Sequence, residues 1–150
     1  ETELKTKPMF SLTHLHPMLV HFPIALIMVG FLAELIYLFY KKEVCLTKVG
    51  FYLLILGTLA ACAAVLSGFL FTDNMAGAAG QIKETHELCA LLTVIFALVT
   101  SAIRIYLMLQ KTEKPGLNKL AFVFYVITAI AVSATGFFGG NLVYNYMMPL

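Results

Sequence analysis

The sequence predicts an all-α fold: a polytopic membrane four-helix bundle, built as a two-hairpin internal repeat with both termini on the outer side. Three observations carry this expectation. Of the 150 residues 61% are hydrophobic, only 12% are Asp, Glu, Lys or Arg, and the apolar residues gather in four long runs. A soluble domain is nearer half apolar and a quarter charged. Disordered chains and coiled coils need far more polar sequence, and ten Lys and Arg against eight Asp and Glu leave no basic surface for nucleic acid. A soluble bundle would need polar outer faces at helical spacing, whereas the stretch from Val49 to Leu56 is apolar all round.

The runs place helices at about 17–40, 49–71, 87–110 and 119–144, within a domain spanning 14–150 that follows an outer N-terminal segment, 1–13. Each run exceeds the roughly 20 residues that cross a hydrocarbon core of about 30 Å. The first holds one charge, Glu34, and opens on Pro17 and Pro23, which the unpaired N–H positions of a first turn tolerate. No basic leader and small-residue cleavage site precede it, so it reads as a span rather than a signal peptide. The second holds no charge, the third holds Arg104, and the fourth holds none. Lys41, Lys42, Lys48, Lys111, Lys114 and Lys119 fall on one side of the bilayer and Lys5, Lys7 and Lys83 on the other. The side richer in lysine is expected to be cytoplasmic, which puts both termini outside.

The two halves resemble each other. His16 and His86 are 70 residues apart, as are the lysine turns that begin at Lys41 and Lys111; Ser67-Gly68-Phe69 and Thr135-Gly136-Phe137 are 68 apart. Two hairpins in parallel orientation imply a pseudo-twofold axis along the membrane normal. Glu34 follows His16 by 18 residues and Arg104 follows His86 by 18, so acid and base share a depth and are expected to form a structural ion pair. Unpaired, each costs about 2.5–3.5 kcal/mol at a helix centre.

All four histidines, His14, His16, His21 and His86, fall at the expected outer end. His16 and His21 are five apart, about 140° round a helix, so one regular stripe does not aim both at a single target. His86 lies near the start of the third helix, where the helix dipole favours a neutral, ligating imidazole. The repeat axis brings a histidine from each half to one level. Heme b suits that constellation, since it needs two axial nitrogens and a broad apolar slot. Small residues of the second and fourth helices supply the slot. The expected ligands are His21 and His86, with His16 as the alternate for His21. Gly68 and Gly136 line the slot, while Lys83, Asn141 and Tyr144 face the carboxylates at the wet interface.

Two other readings stand beside this one. A copper or zinc site would draw on His14, His16, His21 and His86 with Asp73, Glu84 or Glu87; a non-catalytic scaffold or accessory subunit would use its histidines only to fix helix ends. Cys45, Cys62 and Cys89 form no C-x-x-C or C-x-x-C-H element, which excludes a zinc ribbon, a thioredoxin-like motif and covalent c-type heme. Hydrolase signatures such as G-x-S-x-G and H-E-x-x-H are also missing.

The segment His16-Pro17-Met18-Leu19-Val20-His21-Phe22-Pro23 closely resembles the opening signature of the bacterial predicted-membrane-protein family known as domain of unknown function 2231. Ser67-Gly68-Phe69-Leu70, His86 followed by Arg104, and Gly139-Gly140-Asn141-Leu142-Val143-Tyr144 resemble its later motifs. Members often carry a histidine after the last element, where this chain has Asn145 and Tyr146. The resemblance implies a four-helix fold in a bacterial inner membrane. The expected function is that of a b-type heme electron-transfer protein or respiratory-complex subunit. Its partners would be the lipid bilayer, a periplasmic electron carrier, and quinone or a larger membrane complex.

Overall fold

The computed structural model describes residues 15–72, 75–110 and 114–146; segment 1–13 lies outside them. Five helices follow in order: α1 Leu15–Leu19, α2 His21–Phe39, α3 Cys45–Phe71, α4 Gly77–Gln110 and α5 Pro115–Tyr146. The first two form one span, His16–Phe39, and with α3, α4 and α5 make four helical segments long and apolar enough to cross a membrane. The break at Val20 has a local cause: Pro23 has no N–H to offer the Leu19 carbonyl. The Val20 N–H closes the preceding turn on His16 O at 3.1 Å.

The helices outrun the apolar runs. The α4 helix starts at Gly77, ten residues before the expected position, because Ala78, Ala79, Gln81 and Lys83 are good helix formers that hydropathy ignores. With 34 and 32 residues, α4 and α5 reach about 50 Å, well beyond a hydrocarbon core of about 30 Å. Pro115 begins α5 at the first helical position, where its missing N–H has no intrahelical role.

Helices α2 and α3 form one tight hairpin and α4 and α5 the other. Ile27, Leu54, Tyr125 and Val132 make the shared core between them. Within the first hairpin, Gly57 is placed so that a Cβ there would lie 2.7 Å from Ile27 Cγ1. The missing side chain lets the backbones approach, the usual means of packing helices where lipid is as apolar as leucine.

Most polar side chains of the interior find partners within the bundle, the exceptions among the described residues being the buried Glu34 Oε1 and Arg104 Nε. Thr58 and Ser101 join α3 to α4 through their hydroxyls at 2.9 Å. Tyr125 donates from α5 to Ile27 O at 3.3 Å. Arg104 Nη2 donates to Glu34 Oε2, joining α4 to α2. This pair is largely buried, with side chains 18% and 6% exposed. Its depth, 18 residues along each span from the histidines, separates it from them by about 27 Å.

Gly57→Val is expected to lower stability by about 1–3 kcal/mol through overpacking against Ile27, read as a lower midpoint of denaturation in detergent. Arg104→Leu is expected to cost about 3–5 kcal/mol by stranding the Glu34 carboxylate. The double variant Glu34→Leu/Arg104→Leu should recover most of that loss, and the same titration of folded fraction checks it.

Candidate functional site

At the histidine end the bundle opens into a cavity of about 390 Å³ with mostly apolar walls contributed by all five helices. That volume is within the range of small-molecule and cofactor pockets. His16 and His86 enter it from opposite sides, their ring centroids 6.4 Å apart and their planes at 84°.

Each ring is held by its Nδ1. His16 Nδ1 lies 2.9 Å from Ser67 Oγ and 3.1 Å from Ala64 O, and His86 Nδ1 lies 3.0 Å from Thr135 O. A carbonyl oxygen only accepts, so both rings carry their proton on Nδ1. Both Nε2 atoms therefore present a lone pair, and neither has a hydrogen-bond partner among the described residues. Ligating histidines have this tautomer, with the far nitrogen donating to a carbonyl or carboxylate.

The acceptors belong to helices, where a carbonyl points at the backbone N–H four residues on and is flanked by that residue's side chain. On both helices that position is glycine: Gly68 follows Ala64, and Gly139 follows Thr135. A Cβ at Gly68 would lie 3.0 Å from His16 Cε1, and one at Gly139 would lie 3.0 Å from His86 Cε1. These glycines are therefore the floors on which the imidazoles rest.

The expected site residues fall into place unevenly. His16, rather than His21, stands opposite His86. His21 sits past the Val20 break, exposed at the cavity rim, with Nδ1 on Pro17 O at 2.7 Å. Gly68 touches the His16 ring. Gly136 also lines the cavity, but a Cβ there would meet Ile24 Cδ1 at 3.3 Å and no histidine. Lys83 is buried on the cavity wall, its Nζ 3.3 Å from Glu87. Tyr144 stands exposed at the mouth. Asn141 is bonded by Asn145 one turn along α5 and is not part of the wall.

Sequence reasoning passed over Gly139 and the Ala64 and Thr135 carbonyls as ring supports. A signal for them existed. The histidines repeat at 70 residues and their supports at 71, whereas the hydroxyl-Gly-Phe triplets, 68 apart, set the second half about one helical turn out of register. Of the residues considered for a copper or zinc site, His14 and Asp73 lie outside the described residues. No three His, Cys, Asp or Glu side chains converge among the rest.

No curated protein and no solved structure matches the chain. One family model does, described as predicted membrane protein DUF2231, and it covers residues 13–149. Four membrane-length helices and a match over nearly the whole chain make this a multi-pass membrane protein that belongs to the DUF2231 family.

Proposed function

We propose that the protein is an integral membrane electron-transfer protein of the b-type cytochrome kind, alone or as a respiratory-complex subunit, holding one heme b between His16 and His86. The observation that carries this is the pair of opposed imidazoles. Two imidazole nitrogens bonded in line to one metal at about 2.0–2.1 Å each would leave the ring centres about 6.3 Å apart. The rings stand at 6.4 Å, both in the ligating tautomer, in an apolar cavity.

Within that cavity His16 and His86 would be the axial ligands through Nε2. Gly68 and Gly139 seat the rings, and Ala61, Ala64 and Gly136 keep the walls low enough for a flat macrocycle. Lys83 offers a cation to the carboxylates, which are far cheaper at a wet interface than in hydrocarbon. Heme would supply reversible one-electron chemistry, and two histidine ligands would leave no open iron position, favouring electron transfer over oxygen chemistry. Structural zinc usually takes four donors and catalytic zinc three, so two converging imidazoles suit heme better than zinc.

In this reading the histidine end faces the periplasm of a bacterial inner membrane and the lysine-rich turns face the cytoplasm. Electrons would pass between a periplasmic carrier and quinone or a larger complex.

The purified protein, expressed with supplemental heme, is expected to show sharp bands in its dithionite-reduced absorption spectrum. His16→Ala and His86→Ala should each abolish them, and His21→Ala should keep them. A colourless protein with unchanged folding would sink the heme reading and leave the scaffold reading standing.

A further inference from the structure

We infer that the protein holds its two axial imidazoles crossed, and that Ser67, Gly68 and Gly139 are positioning residues that maintain the crossing. This rests on the heme reading above and specifies the electronic character of that site.

An imidazole bound through Nε2 is free to spin about its metal–nitrogen axis unless its other atoms are held. Here both rings are held at two points. The Ser67 hydroxyl donates to Ala64 O at 2.8 Å, which leaves its oxygen to accept from His16 Nδ1 at 2.9 Å. The helix face at Gly68 supports the Cε1 edge of the same ring. On the other side Thr135 O takes the Nδ1 proton of His86 and Gly139 supports its Cε1 edge. Turning either ring would break its Nδ1 bond or drive Cε1 into a helix backbone.

The angle of 84° is compatible with a pseudo-twofold arrangement. An axis along the bundle leaves two equivalent rings perpendicular when each is tilted midway between the membrane plane and its normal. Equivalent supports on α3 and α5 impose similar tilts on the two rings.

The arrangement has an electronic consequence. Parallel imidazoles donate π density into the same iron d orbital and split it from its neighbour. Crossed imidazoles donate into two different orbitals and keep them nearly degenerate. Ferric iron in this site would therefore be low-spin and strongly anisotropic.

Low-temperature electron paramagnetic resonance of the ferric, full-length protein in detergent tests this. The expected spectrum is a single feature at very large g, with the other components too broad to resolve. Gly139→Ala, which presses a methyl group on His86 Cε1, should convert it to a resolved rhombic trio while the heme stays bound. Ser67→Ala should shift the large-g feature by freeing His16 of its hydroxyl acceptor, and it decides the matter if Gly139→Ala yields no heme-loaded protein. Gly116→Ala, which meets nothing within 4 Å and lies outside the cavity wall, should leave the spectrum unchanged. A rhombic trio from the unaltered, heme-loaded protein would overturn the crossing and leave the heme reading intact. Unchanged spectra in both Gly139→Ala and Ser67→Ala would overturn the positioning roles. A protein that binds no heme would remove the heme reading itself.

Discussion

Two imidazole N–H groups bonded to carbonyls inside intact helices organise the histidine end of this bundle. Thr135 O keeps its helical role and uses its second lone pair for the His86 ring, while Ala64 O takes the His16 ring at 3.1 Å alongside the Ser67 hydroxyl at 2.8 Å. That is possible only because the residue four positions on has no side chain to cover it, as at Gly68 and Gly139. Everything proposed for the cavity depends on this arrangement. It sets the tautomer, leaves Nε2 as the nitrogen with a lone pair, and holds the two rings 6.4 Å apart.

The opposite end of the bundle uses the same pseudo-symmetry differently. At the histidine end the repeat places like beside like. At the other it places Glu34 against Arg104, which two identical halves could not do, since like charges would then face each other in a medium of low dielectric. The two halves thus differ where charge is at stake and are alike where imidazoles meet. The extra hydroxyl of Ser67 on His16, with only a carbonyl on His86, is a smaller difference between them. A long apolar core of Ile27, Leu54, Tyr125 and Val132 separates the two ends.

Much of the fold was legible along the chain. Apolar runs gave the spans because hydrocarbon excludes charge over a known thickness, and matched spacings from His16 to Glu34 and from His86 to Arg104 put acid and base at one level. Helix ends were less legible. Hydropathy registers the lipid-embedded part only, so the first turns of α4, which include Lys83 on the cavity wall, were counted as loop. The repeat was visible, but the hydroxyl-Gly-Phe triplets suggested a register about one turn away from the one that matters. Gly139, not Gly136, is the counterpart of Gly68.

The sequence by itself determined the membrane setting, the number of spans, the pairing of depths and the end at which the histidines gather. All of these follow from one-dimensional spacing and the cost of charge in lipid. Only the tertiary structure decided that His16 rather than His21 faces His86. The choice turns on the angle at which a short helix, interrupted ahead of Pro23, meets the carbonyls of α3. Five residues of spacing say that the two rings diverge. Which of them is turned inward depends on the neighbouring helix, and on a glycine that leaves room for the ring.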